Sequence, residues 1–448
     1  MKTVLIVACS KNNVIGKENC IPWYIKEDLQ NFKRVTVGNG NNSIVMGRKT
    51  FDSIDRKYLK GRINFVLTNE KDKFKKYENI IFTNSIDEVY KEHTKRNLDN
   101  LFVIGGNEIY KIFLKENLVE EIYLSDIKIT VEGKNLTYFP REYWSKFQIT
   151  NFEKFSEFDY ITYKITKEKS FEYQYLNLVE KILNTDDLCC FGNQMKFDLS
   201  KGFPLITTKK MFFKGVVEEL LWFLSGQTDA KILKDKGIRI WDKNSSREYL
   251  DSVGLVNNNE NDLGPIYGHN FRHYGAKYEN SKTNYEGKGV DQVGYVINMI
   301  RNNPKSRRIL INLWNPCQLD EVALPPCHVL YQFKVDEKAK TLSCILYQRS
   351  GDVALGIPFN IASASLLTHI LAFLTNLKPG ILTHFIGDAH IYPEHKEGMI
   401  HQLDRYVYPF PILKIFERNQ QKPEDFCYED FELQGYRSNS HLPFQLIV

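Results

Sequence analysis

No run of about 18 residues in this chain of 448 is free of polar side chains, so no membrane span is expected. The most apolar late stretch, residues 361–377, is interrupted by Ser363, Ser365, Thr368, His369, Thr375 and Asn376, and reads as a core helix. The short apolar segment after Lys2, residues 3–8, is marginal for a secretion signal and lacks a following small-residue cleavage site; a buried first strand fits it better. Eight cysteines show no paired spacing, which excludes a disulfide framework and points to reduced thiols in a cytosol-like compartment. The expected location is therefore the cytoplasm. Cys189 and Cys190 read as strand positions, since a metal site would need more ligands nearby, and no metal is expected.

There is no internal repeat and no GxGxxG motif. Charge is nearly balanced, 60 basic against 55 acidic residues for a net +5, which suits small anionic ligands without demanding nucleic acid. A basic-aromatic motif for RNA is absent as well. The charge cluster at residues 71–76 reads as solvated, and the Asn-rich patch at 257–262 as a surface loop.

What is present is length for two domains, each able to bury its own core. The densest chemistry surrounds Cys327 in Leu324-Pro325-Pro326-Cys327-His328. Alone, a cysteine in apolar sequence is usually a small buried hydrophobe. A nucleophile needs thiolate character, and Arg307, Arg308 and Arg349 can supply positive charge if the fold brings them together. Asn360 offers a donor and an acceptor, enough to read an imide edge.

Those residues, with Tyr347-Gln348-Arg349-Ser350-Gly351-Asp352, Pro358-Phe359-Asn360 and Asp388-Ala389-His390-Ile391-Tyr392, closely resemble the thymidylate synthase family. The resemblance spans residues 171–448 and includes Phe203-Pro204-Leu205-Ile206-Thr207-Thr208-Lys209 and Glu218-Glu219-Leu220-Leu221-Trp222. It implies an α+β domain in which Cys327 attacks C6 of dUMP and the C5 enolate captures the carbon of the co-substrate 5,10-methylenetetrahydrofolate. By the same likeness Gln348, Arg349, Ser350, Asn360, His390 and Tyr392 bind dUMP, together with Arg307 and Arg308 from a partner subunit. Glu219 would organise proton transfers, Tyr267 would assist loss of the C5 proton, and Trp241 and Asp352 would meet the folate.

The family's arginine-bearing Asp-Arg-Thr-Gly type loop has no counterpart here, since only Asn184-Thr185-Asp186-Asp187-Leu188-Cys189-Cys190 precedes Phe191-Gly192. That departure leaves a second reading open, a synthase-like dimerisation or nucleotide-binding scaffold without turnover. The ending Leu442-Pro443-Phe444-Gln445-Leu446-Ile447-Val448 also departs from the family's Met- and Ala-rich tail, but its apolar character keeps closure over ligands possible.

Near the N-terminus, Ile21-Pro22-Trp23 precedes a helical stretch in which Asp28 and Phe32 share a face. Ile44-Val45-Met46-Gly47-Arg48-Lys49-Thr50 and Phe102-Val103-Ile104-Gly105-Gly106-Asn107 each read as a strand running through glycine into a helix, a place where free backbone N–H groups bind phosphate. With Gly61-Arg62, these motifs resemble the dihydrofolate reductase family over residues 1–166. The implied domain is α/β, with Asp28 as the acid of the pterin site and Ala8, Phe32, Arg62, Ile104 and Ser125 as folate contacts. Ser125 stands where the family usually carries threonine, and the exchange keeps the hydroxyl. NADPH would lie along Gly47, Arg48, Lys49, Thr50, Gly105 and Gly106, with Ile15, Gly16 and Trp23 in a mobile loop over the nicotinamide.

The two resemblances fit one cycle, because thymidylate synthesis oxidises its folate to dihydrofolate and the reductase restores it. The expected organisation is a reductase at 1–166, a short linker at 167–170 and a synthase at 171–448, fused as in the bifunctional enzymes of protozoa and plants. Homodimerisation is expected through the synthase part.

Overall fold

The computed structural model describes residues 2–70, 73 and 80–447. The chain divides into two compact units, Met1–Ser170 and Phe171–Val448. Apart from Lys73, the charge cluster at 71–76 lies outside the described residues.

The first unit contains strands β1 (Lys2–Ser10), β2 (Val14–Lys17), β3 (Ser43–Gly47), β4 (Ile63–Leu67), β5 (Ile80–Thr83), β6 (Asn100–Val103), β7 (Glu121–Ile127), β8 (Leu136–Tyr138), β9 (Phe147–Lys154) and β10 (Phe158–Ile165). Eight form one sheet in the order β5-β4-β3-β6-β1-β7-β10-β9. From β5 to β7 all pairings are parallel, and β10 and β9 add an antiparallel edge. The near-continuous burial of β1 and β3 matches strands covered on both faces. Because β1, β3 and β6 are parallel and adjacent, their carboxyl ends share one edge, where open α/β sheets bind ligands.

The stretch 167–170, expected as a short linker, is grouped with the first unit, which runs through Ser170. The N–H of Thr166 is tied to the Lys146 carbonyl at 2.8 Å. Ile15 and Gly16 belong to β2, which pairs antiparallel with β8, a strand far away in sequence.

The second unit is built on β11 (Cys189–Asp198), β12 (Leu310–Asn312), β13 (His328–Asp336), β14 (Thr341–Asp352) and β15 (Lys378–His390), ordered β11-β15-β14-β13-β12. Only β14 and β15 pair in parallel, which makes an α+β sheet. Across it packs the 19-residue helix Gly356–Leu374. This helix is long and apolar enough to cross a membrane, yet 83% of its most apolar window is buried inside the protein. Two of its polar residues bond back onto the helix, Ser365 Oγ donating to the Ile361 carbonyl at 2.7 Å and Thr368 Oγ1 to the Ala364 carbonyl at 2.8 Å. The sequence therefore reads polar while the core stays satisfied.

The Asn-rich loop is exposed at Asn257, Asn259 and Glu260, but Asp262 departs from the surface reading. It is buried, accepting the Tyr278 hydroxyl at 2.6 Å and the N–H groups of Gly264 and Ser281 at 3.1 and 3.0 Å. A short carboxylate with three donors ties down the loop's exit.

Candidate active sites

In the first unit, Asp28 lies two residues into the helix Lys26–Val37 and is 9% exposed. Ser125 on β7 donates its hydroxyl to Asp28 Oδ1 at 2.5 Å, and Ala8 on β1 stands in register with Ser125. Burial raises the Asp28 carboxyl above its ordinary range and the Ser125 bond opposes the rise. A buried acid inclined to hold its proton, with one aromatic a turn away, can protonate a flat heterocycle. The guanidinium of Arg62 lies 5.7 Å from the Phe32 ring and donates to the Thr36 hydroxyl and to the Leu59 carbonyl. Arg62 thus extends the Asp28–Phe32 face with a positive charge.

Gly47 and Gly106 immediately precede the helices Arg48–Ser53 and Asn107–Lys115, and neither start is capped by a side chain. The two glycine segments touch: the N–H of Gly47 donates to the Gly105 carbonyl at 2.8 Å. Gly105 has φ +111°, and a Cβ there would lie 3.1 Å from the Tyr110 hydroxyl, which is itself fixed on the Ile6 carbonyl at 2.9 Å. Only glycine fits that bend. Two uncapped helix starts, with exposed Arg48 and Lys49 beside one of them, fit a phosphate-bearing cofactor such as NADPH. Arg48 also pairs with Asp52 at 3.0 Å, so part of its charge is locally met. Ile104 follows β6 and donates its N–H to the Val45 carbonyl at 3.0 Å, and Trp23 is half-buried against Ile25, Phe158 and Tyr160.

In the second unit, Cys327 immediately precedes β13. Arg349 on β14 donates its backbone N–H to the Cys327 carbonyl at 2.9 Å, and its guanidinium is aimed by the carbonyls of Pro325 and Pro326, both at 2.9 Å. This places Nη2 3.8 Å from Cys327 Sγ. Burial pushes the thiol up, and Arg349 and Tyr267 pull against it. Tyr267 accepts the N–H groups of Cys327 and His328 at 2.7 and 3.4 Å, while burial drives its own pKa upward and keeps it a neutral donor.

A chain of fixed amides orients Asn360. His384 is held neutral, its pKa lowered by burial to about 3, so it bears one ring proton. It lies 2.8 Å from Gln348 Oε1, which makes Nε2 the protonated nitrogen and turns the Gln348 amide nitrogen toward Ser350 O and Asn360 Oδ1, both at 2.9 Å. The Asn360 amide is then set in one orientation.

Glu219, on the helix Phe213–Leu224, accepts Trp241 Nε1–H at 2.9 Å. Burial raises its carboxyl to about 7, with the Trp241 bond opposing. Asp352 accepts the N–H groups of Ala354 and Leu355 at 2.8 and 3.2 Å and meets His395 Nδ1 at 3.6 Å. His390 bonds Asp388 at 3.1 Å, and its ring centroid lies 5.1 Å from that of Tyr392.

Arg307 and Arg308 are not brought to this cluster. Both are exposed ahead of β12, whose Leu310 pairs with Gln332, so they approach the far end of β13 from Cys327. The arginine loop is missing from the structure too: residues 184–188 alone join the helix Glu172–Leu183 to β11, and they carry Asp186 and Asp187.

Sequence reasoning gave no role to Trp314, 5.7 Å from the Arg349 guanidinium, nor to Lys209 and His395, both buried beside Asp352. For Lys209 a signal existed, its place at the end of the stretch Phe203-Pro204-Leu205-Ile206-Thr207-Thr208-Lys209 that carries the family resemblance. For Trp314 and His395 none did, because each is recruited from a distant segment.

These arrangements define an enzyme with two separate centres, a proton-donating carboxyl on an α/β sheet edge and a cationically flanked thiol on an α+β sheet. Comparison agrees on both halves: residues 2–170 match the dihydrofolate reductase family and residues 173–448 match thymidylate synthase. The chain is 42% identical to the bifunctional dihydrofolate reductase-thymidylate synthase of Paramecium tetraurelia, covering 99% of this chain and 98% of that one. It is 39% identical to the bifunctional enzyme of Zea mays and 38% identical to that of Leishmania major, again over 99% of this chain and 96% and 95% of theirs. The chain belongs to the family of bifunctional dihydrofolate reductase-thymidylate synthases.

Proposed function

We propose that the first unit reduces dihydrofolate to tetrahydrofolate with Asp28 as the proton-holding acid, and that the second converts dUMP to dTMP through a covalent bond from Cys327. NADPH, when bound, supplies the hydride for the first reaction. Asp28 and Ser125 hold the pterin, Phe32 packs on it, and Arg62 takes a carboxylate. In the second reaction Arg349 favours the thiolate of Cys327, Asn360 reads the uracil edge, and Glu219 relays protons. The observation carrying the synthase reading is Arg349 Nη2 3.8 Å from Cys327 Sγ, its aim fixed by two loop carbonyls. A scaffold without turnover would not need an oriented cation on a thiol, and no observation favours it.

The same reading makes the enzyme a homodimer through the synthase sheet. Ile345, Tyr347, Ile381 and Phe385 are 36–42% exposed on the face opposite the helix Gly356–Leu374, and Tyr347 stands in register with Phe385. A second copy covering this face would bring its Arg307 and Arg308 toward the dUMP phosphate. Eight free thiols suit a reducing compartment, and the cytoplasm is the proposed location. Mixing the Cys327→Ser and Arg307→Ala chains tests the shared site: synthase activity should reappear in the mixture, and its failure to do so, with both chains folded and dimeric, would overturn the reading.

A further inference from the structure

Glu218 and Glu219 are neighbours on the helix Phe213–Leu224, and successive residues on a helix are turned by about 100°, so their carboxylates leave it in different directions. Both nevertheless meet one later segment of the chain. Glu218, 7% exposed, accepts Lys236 Nζ at 2.6 Å, and Glu219 accepts the indole N–H of Trp241 at 2.9 Å. One turn beyond Glu218 on the same face, Trp222 donates its own indole N–H to the Asp229 carbonyl at 3.1 Å. The helix thus grips residues 229–241 at three points, with Lys236 the grip next before Trp241. Residues 237–240 between them are in neither helix nor strand, and Ile238 is packed into the core. Lys236 is half-exposed and could stand in water alone, whereas the nearly buried Glu218 carboxylate needs its partner.

We infer that the Glu218–Lys236 pair is a positioning device for the synthase site: it pins the segment leading to Trp241 so that the indole N–H stays on Glu219. The inference rests on the proposed role of Glu219 for its effect on turnover, but the tether itself does not. Tyr267 and Tyr331 also feel the charge of Glu219, and burial keeps both phenols neutral, so how readily Glu219 ionises answers to how well Trp241 is held.

The tether is tested without turnover on the full-length chain carrying 15N-tryptophan. The indole resonance of Trp241, assigned by its loss in Trp241→Phe, should titrate with Glu219 near pH 7 in the wild type and stop doing so in Glu219→Gln. Glu218→Met should move that midpoint upward by about one pH unit, the size of losing a hydrogen bond to a charged group. Removing a neighbouring negative charge would by itself move the midpoint down, so an upward shift reports the loosened indole. Lys236→Met, at a half-exposed position where folding is not at stake, should shift it upward as well, and Lys236→Arg should keep the wild-type midpoint. In turnover the synthase pH limb should follow the same order, and Glu218→Met should add nothing in a Trp241→Phe background, with dihydrofolate reduction unchanged throughout. An unmoved or lowered midpoint in Glu218→Met, or additive shifts with Trp241→Phe, would overturn the inference. Covalent capture of 5-fluoro-dUMP by the wild type, with methylenetetrahydrofolate, separates the outcomes: a shifted indole midpoint without capture leaves the tether standing and removes the synthase reading.

Discussion

The indole N–H of Trp241 donates to the Glu219 carboxylate at 2.9 Å, a bond that opposes the burial which leaves this carboxyl at about 7. The pair is drawn from a helix and a later loop, and it puts a titrating group at neutral pH within the synthase unit.

Glu219 should therefore set one limb of the synthase pH profile near 7. Trp241→Phe removes the bond favouring the ionised form, so the limb should move to higher pH. Glu219→Gln should erase the limb and cost about 10²–10⁴ in kcat, the usual contribution of a general acid or base. For stability the sign is opposite to that of a salt-bridged carboxylate. A carboxyl raised from 4.5 to about 7 carries no ionisation penalty below its unfolded value, acquires one as pH climbs between the two, and bears it in full above 7. Wild-type stability should fall across that window relative to Glu219→Gln, as denaturant titrations at several pH values would show.

Asp28 makes the parallel case in the reductase unit. Its carboxyl is raised by burial, and dihydrofolate reduction should decline as pH rises through that value. Ser125→Ala removes the opposing hydrogen bond, so the decline should begin at higher pH. An unchanged profile would show that Ser125 does not act on Asp28.

The two centres should fail independently. Asp28→Asn should lower dihydrofolate reduction about 10²–10⁴-fold near neutral pH while 5-fluoro-dUMP, with methylenetetrahydrofolate, still adds covalently to the chain. Cys327→Ser should abolish the adduct, read by mass spectrometry, and leave reduction intact. Loss of both activities from either change would sink the assignment of separate sites.

On the exposed sheet face, Tyr347→Asp with Phe385→Asp should convert dimers to monomers in sedimentation velocity and lower synthase activity while reduction persists. A wild type that sediments as a monomer would refute the proposed interface.

Much of this protein was legible because its decisive motifs are local. Gly47-Arg48 and Gly105-Gly106 announce strand-to-helix turns from a few residues each, and Asp28 with Phe32 needs only the helical repeat. The cluster around Cys327 came with its neighbours in order along the chain. The burial of Asp262 was not legible, since its Asn-rich surroundings argue for solvent and its main partner, Tyr278, arrives from a later segment. Nor was the packing of the Phe444 ring against Gly398, where a Cβ would lie 2.5 Å from it, since the two come from segments far apart in sequence.

By itself, then, the sequence determined the two fold classes, their order and the chemical types at each centre, because strand, helix and glycine patterns act over short spans. Only the tertiary structure decided which side chains meet. The Trp241 bond to Glu219, the aim of Arg349 at Cys327 and the amide chain that orients Asn360 all join residues far apart along the chain. Proton affinities followed from that as well. Burial, which raises Asp28, Glu219 and Cys327 alike, is a property of the packed core and of no single motif.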